Sequence, residues 1–116
     1  MNKIVTPDLG ALQKEAASVA LPEKMMAVVA YEPGDYRWEE VDVPRAGPDD
    51  IIIEVETVGI CAGDIKCFLG APSFWGDKEQ PRYVKPPMIP GHEFIGRAVE
   101  LGENLRGQYK VGDRLI

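Results

Sequence analysis

From Met25 onward the apolar residues recur with a period of two, in short runs cut by Gly, Pro and Asp, and no run holds a helical period for long. Met26, Val28 and Ala30 alternate with Ala27 and Val29 up to a turn at Glu32-Pro33-Gly34-Asp35. Tyr36, Trp38, Val41 and Val43 continue as a second strand, whose alternation slips at Glu39-Glu40 in the manner of a β-bulge. After a turn at Arg45–Asp50, Ile51, Ile53, Val55 and Thr57 share one face while Glu54 and Glu56 face water. Asp64–Leu69 reads as a short helix or turn. Gly70–Pro90, with five prolines and the aromatics Phe74, Trp75 and Tyr83, reads as a long irregular excursion of the functional kind. Phe94–Leu101 and Val111–Ile116 return to strand. Strand following strand without long helices predicts a mainly β fold, a barrel or sandwich rather than a doubly wound sheet.

The leading residues differ. Thr6-Pro7-Asp8 has the chemistry of a helix start, and Leu9, Leu12, Ala16 and Val19 form an apolar stripe that ends at Leu21-Pro22. A helical extension over residues 1–24 is therefore expected ahead of a domain at 25–116. The formal charge of −6, from 13 basic and 19 acidic residues, argues against nucleic acid or an anionic membrane as partner. The longest apolar run, Met25–Ala30, is far below the roughly 20 residues of a membrane span. No signal-peptide core occurs, and a cytoplasmic location is expected. The last residues, Asp113-Arg114-Leu115-Ile116, fall inside an expected strand, from which a longer parent chain is expected.

Three kinds of metal-binding side chain stand near strand ends. Cys61 follows Val58-Gly59-Ile60 in a glycine-rich turn, and His92 and Glu93 follow Ile89-Pro90-Gly91. Thiolate, imidazole and carboxylate suit zinc with an open coordination position. The spacing by itself is matched equally well by a buried cysteine after a strand and a histidine in a turn. The two cysteines, Cys61 and Cys67, form neither a C-x-x-C pair nor a four-ligand finger. A disulfide between them is not expected in a reducing compartment.

Gly59-Ile60-Cys61, Gly63-Asp64, Pro90-Gly91-His92-Glu93, Gly96, Gly102 and Val111-Gly112-Asp113-Arg114 together resemble the zinc-dependent medium-chain alcohol and polyol dehydrogenases. Pro22-Glu23-Lys24-Met25, Asp35-Tyr36-Arg37, Asp64-Ile65-Lys66-Cys67 and Phe74-Trp75-Gly76-Asp77 look like the branch acting on erythritol- and threitol-type polyols. The resemblance implies a GroES-like, partly open β-barrel with short helices. It implies that Cys61 and His92 are ligands of a catalytic Zn2+ and that Glu93 sits beside or on the metal. Asp64 would hydrogen-bond the ligand histidine. Cys61, Asp64, His92 and Glu93 are then the catalytic set, and Lys66, Phe74 and Trp75 are candidates for the substrate cleft. The further zinc ligand, a structural zinc lobe and the domain binding NAD(H) or NADP(H) would lie beyond residue 116. No G-x-G-x-x-G occurs within the chain, so no cofactor-binding residue is assigned here.

The implied activity is hydride transfer from a small polyol or secondary alcohol to NAD(P), in a full-length enzyme expected to be a homo-oligomer. The isolated piece is expected to be inactive. Relatives often carry a hydroxyl residue and a histidine as a proton relay where this chain has Gly63 and Lys66, and a basic residue where it has Ala62. Two other readings remain: a non-enzymatic GroES-like binding module without a working metal site, and a zinc-free reductase of the same superfamily. Neither gives a reason for Cys61, Asp64, His92 and Glu93 to occur together.

Overall fold

The computed structural model describes residues 20–116. The helix expected over residues 1–24 falls almost wholly outside the described residues. The fold is mainly β, as the alternation predicts, and the chain divides into two compact units.

One unit holds Glu23–Val43 and Val58–Phe94. Strands β1 (Lys24–Glu32) and β2 (Asp35–Asp42) form an antiparallel hairpin closed at Pro33-Gly34, where Gly34 takes a φ of 76°. The register runs unbroken from Lys24↔Asp42 to Ala30↔Tyr36 and slips between Ala30 and Glu32. The irregularity therefore lies at Tyr31, not at Glu39-Glu40 as the alternation suggests. Glu39 occupies a half-buried position because its carboxylate accepts the Tyr31 hydroxyl, while Trp38 is 68% exposed. A satisfied polar residue in a half-buried slot disturbs the apolar pattern in the same way as an extra residue. Ala27, Val29 and Ala30 are the buried residues of β1, and Met26 and Val28 stay exposed.

Within the same unit, helix α1 (Ala62–Phe68) leads into the Gly70–Pro90 excursion, which is irregular except for the single helical turn α2 (Pro72–Trp75). Proline at the start of α2 loses no hydrogen bond there. The excursion is pinned through a small core of Cys67, Trp75 and Val84, flanked by Phe74 and Met88. The Trp75 indole N–H donates to the Cys67 carbonyl at 2.7 Å, and the Phe74 carbonyl accepts from Tyr83 and Val84 at 2.9 and 3.1 Å. Ala30 and Met88 exchange backbone hydrogen bonds of 2.8 and 3.1 Å, which ties the end of the excursion to β1. The Tyr36 ring stands edge-on to Phe68 with centroids 5.0 Å apart, and its hydroxyl points at Cys67 Sγ 3.5 Å away. Burial, followed by that hydrogen bond, pushes the phenol up to about 12. Trp75→Phe should lower the unfolding free energy by about 1 kcal/mol through the lost indole bond. Trp75→Ala should cost about 3–5 kcal/mol through the cavity. Denaturant melts of the two variants, with their midpoints compared, check both values.

The other unit contains most of β3 (Ile51–Gly59) and β4 (Glu93–Leu101) and all of β5 (Arg114–Leu115), in a sheet ordered β3-β4-β5. Neither this sheet nor the hairpin closes on itself among the described residues. Strand β5 pairs antiparallel to β4 through Gly96↔Leu115 and Arg97↔Arg114, and it is shorter than the Val111–Ile116 expected. Gly112, at φ 94°, bends the chain there; its carbonyl accepts from Arg97 at 3.1 Å and Asp113 accepts from the Lys110 N–H at 2.8 Å. The apolar face of β3 is also shorter than its alternation implies: Ile51–Ile53 are half-buried, but Val55 is 55% exposed. Gly102 packs directly on the Gly47 and Pro48 carbonyls, where any Cβ would overlap backbone.

Glu56 joins Arg97 at 2.9 Å and Arg114 at 3.0 Å, linking residues of all three strands. The hydrogen bond from Arg114, with the charges of both guanidiniums, holds its carboxyl below the usual range against a smaller desolvation effect. A carboxyl lowered in the folded state stabilises the protein above its unfolded pKa and stops doing so as pH falls through the folded value. Glu56→Gln should therefore lower Tm slightly at neutral pH, with the gap closing in acid. Thermal melts of both proteins across pH 2–7 check the sign.

Candidate metal centre

Residues 61–64 build the first side of the site. Cys61 is the N-cap of α1, with extended backbone at φ −95° and ψ 170°, and its Sγ accepts the Gly63 N–H at 3.2 Å. Asp64 returns the contact, its Oδ2 accepting the Cys61 N–H at 2.8 Å. This is a capping box with a thiol in the hydroxyl's place and aspartate in the glutamate's. The local signal, Cys-x-x-Asp before an apolar turn, is present in the sequence, yet the ligand reading alone overlooks this role of Asp64.

The second side comes from the chain leaving the excursion. Gly91 takes a φ of 107°, a conformation that favours glycine, and directs His92 toward α1. His92 Nε2 lies 3.4 Å from Cys61 Sγ, and its Nδ1 lies 3.5 Å from Asp64 Oδ1. Donor atoms of Cys61, Asp64 and His92 fall within 4.8 Å of one another. Cys61 is half-buried, the Asp64 side chain is 21% exposed and the His92 side chain 62%. The ring thus has one nitrogen toward the thiol and the other toward a carboxylate, on a face open to solvent.

The other candidates fall differently. Glu93 is exposed, and its carboxylate lies beside Gly59, outside the three-residue cluster. Lys66 is exposed in the last turn of α1. Trp75 is buried in the core beneath the excursion. Phe74 is half-buried and reaches toward the site: its Cζ lies 3.8 Å from where a Cβ on Gly63 would stand. Both cysteines are free thiols. A cleft of ≈ 410 Å³ in the same unit is lined mostly by apolar groups, including Val28, Tyr36, Ile60, Ile65 and Phe68. It reaches Asp64 and Gly91 but not Cys61 or His92, so the cleft is not the space into which the donors converge.

The described residues thus form a mainly β fold in which the donor atoms of Cys61, Asp64 and His92 come together. Residues 47–116 match the alcohol dehydrogenase GroES-like domain, and the chain belongs to that family. It is 51% identical over 98 residues to the erythritol/L-threitol dehydrogenase of Mycolicibacterium smegmatis, covering 83% of this chain and 27% of that protein. It is 40% identical over 95 residues to the L-threonine 3-dehydrogenase of Pyrococcus horikoshii, covering 80% and 25%. Among solved structures, a dehydrogenase from Sinorhizobium meliloti, described as zinc-binding and bound to NADP, has a TM-score of 0.64 at 33% identity, covering 80% of this chain and 24% of that one. The 2R,3R-butanediol dehydrogenase of Bacillus subtilis has a TM-score of 0.64 at 35% identity, covering 77% and 26%. The chain spans about a quarter of the length of the relatives it matches. Among the described residues, no helix is long and apolar enough to cross a membrane.

Proposed function

We propose that residues 25–116 are the metal-bearing part of the catalytic domain of a zinc-dependent dehydrogenase that oxidises a small polyol or secondary alcohol with NAD(P). The observation that carries this reading is the convergence of Cys61 Sγ and His92 Nε2, 3.4 Å apart, with Asp64 behind the ring. The donor set fits zinc: a soft thiolate, a borderline imidazole, and a carboxylate placed on the nitrogen that does not face the thiol. Cys61 and His92 would hold the ion, while the Glu93 carboxylate lies beside Gly59, outside the cluster.

When bound, zinc supplies Lewis-acid polarisation of the substrate hydroxyl, and the nicotinamide accepts hydride from the carbinol carbon. The chain's own residues prepare that chemistry. Asp64 favours the proton on His92 Nδ1, which leaves the Nε2 lone pair on the thiol side. The Gly63 N–H, aimed at Cys61 Sγ, favours the thiolate rotamer that faces His92. Gly63 carries no hydroxyl, and Lys66 is exposed in the last turn of α1. With no hydroxyl at Gly63 to start a relay, the hydroxyl proton would have to reach solvent by way of water.

The nucleotide domain, a further zinc ligand and the substrate's remaining contacts belong to the rest of the full-length enzyme. The similarity to an erythritol/L-threitol dehydrogenase favours a four-carbon polyol over a simple alcohol. Purified full-length enzyme should contain zinc and reduce NAD or NADP with erythritol or L-threitol faster than with L-threonine. A zinc-free protein inert toward all three would refute the reading and favour a binding module.

A further inference from the structure

The two arms that bring Cys61 and His92 together rest on one rung of the β1–β2 hairpin, the pair Ala30↔Tyr36. The arm carrying Cys61 is α1, and Tyr36 braces its last turn. The Tyr36 hydroxyl donates to Cys67 Sγ at 3.5 Å, and its ring stands edge-on to Phe68 with centroids 5.0 Å apart. Helix α1 has seven residues, so it is a stiff rod of about 10 Å with Cys61 capping its far end. The arm carrying His92 starts at Met88, whose N–H and carbonyl both bond the Ala30 backbone, at 3.1 and 2.8 Å. Only Ile89, Pro90 and Gly91 separate Met88 from His92, and the proline restricts both its own backbone and that of Ile89. Ala30 has no exposed surface, and facing residues of an antiparallel pair hold their side chains on one face, about 5 Å apart. Ala30 and Tyr36 therefore cannot shift independently. Tyr36, Asp64 and Gly91 also line one cleft together, which places the rung behind both arms.

We infer that Tyr36 is a positioning residue of the metal centre: through α1 on one side and its strand partner Ala30 on the other, a single rung sets the distance between Cys61 Sγ and His92 Nε2. The inference rests on the metal-site reading proposed above and adds to it a residue remote from the donor atoms. The cleft that Tyr36 lines does not reach Cys61 or His92, so its effect on the metal travels through the backbone that it braces. Thiolate and imidazole must stand at set lengths from one ion, and contacts that orient such ligands are worth about 10–100-fold in metal affinity. Tyr36 acts one step further out, at the opposite end of α1, so an effect of about tenfold is expected.

Co2+ bound to the full-length enzyme in place of zinc tests this, because its visible and thiolate charge-transfer bands report ligand geometry independently of turnover. Tyr36→Leu, which removes both the hydroxyl and the ring, should weaken Co2+ binding by about tenfold and alter both sets of bands. Tyr36→Phe keeps the ring against Phe68 and should show a smaller defect of the same kind, which carries the test if Tyr36→Leu does not fold. Val29→Ala is the destabilised comparison, since Val29 is buried on the opposite face of the same strand. It should lower Tm while leaving Co2+ affinity and spectrum as in wild type. Wild-type affinity and spectrum in Tyr36→Leu, at a lowered Tm, would overturn the positioning role and leave the metal-site reading intact. A metal defect in Val29→Ala as large as that in Tyr36→Leu, at a similar loss of Tm, would also overturn it, because any weakening of the hairpin would then loosen the site. A wild-type enzyme that binds neither Co2+ nor Zn2+ would defeat the metal-site reading, and the positioning role with it.

Discussion

Cys61→Ala is expected to remove zinc from the full-length enzyme and to lower turnover by on the order of 10³-fold. The substitution takes away a soft donor that stands 3.4 Å from His92 Nε2, leaving an imidazole that is largely in solvent. Water can replace the thiolate in position but not in charge or softness, so the ion is held weakly and its effect on the substrate hydroxyl falls. Cys61→Ser separates the two jobs of the residue. A serine hydroxyl serves as N-cap at least as well as a thiol, so α1 should keep its stability. It remains a poor zinc ligand at neutral pH, so the metal should still be lost. Metal analysis, thermal melting and steady-state kinetics on the same preparations check the pattern. Full zinc occupancy in Cys61→Ala would show that the ion is held elsewhere.

Asp64 should show the second-largest effect, by a different route. Its Oδ2 caps the Cys61 N–H at 2.8 Å and its Oδ1 faces His92 Nδ1 at 3.5 Å. Asp64→Ala removes both contacts, and zinc affinity should fall by about 10–100-fold, the range seen when the partner of a ligand histidine is lost. Stability should fall by about 1 kcal/mol through the cap. Asp64→Asn keeps an acceptor for the Cys61 N–H but loses the charge and can turn an NH2 toward the ring. It should therefore melt near wild type while still binding zinc more weakly. Competition against a chelator of known affinity, run beside denaturant melts, distinguishes cap from ligand support. Equal zinc affinity in all three proteins would reduce Asp64 to a capping residue.

Much of the local structure could be read from the residues themselves. The Pro33-Gly34 turn, the two strands it joins and the short helix after Cys61 all follow from contacts between near neighbours, which alternation and turn residues report directly. The misplaced bulge has the opposite origin. Glu39 disturbs the alternation because Tyr31, eight residues away across the hairpin, satisfies its carboxylate, and only the pairing register reveals that. Strand β5 shrinks to two residues because Gly112 and the Lys110–Asp113 contact make a turn that the apolar run Val111–Ile116 conceals.

The site divides along the same line. Residue types and spacing carry the donor set and the strand-rich class, whereas the capping role of Cys61 and Asp64, though written in a local Cys-x-x-Asp, emerges only from the folded helix. That His92 meets Cys61, that Glu93 lies by Gly59 instead, and that Phe74 rather than Trp75 comes near Gly63 follow only from the folded chain. Capping and turn chemistry act over three or four residues, so composition and spacing carry them. The approach of His92 depends on an excursion of some twenty residues being pinned by the Trp75 core and the Ala30–Met88 bridge. Closing a loop of that length is settled by packing at its far end, which no local pattern encodes.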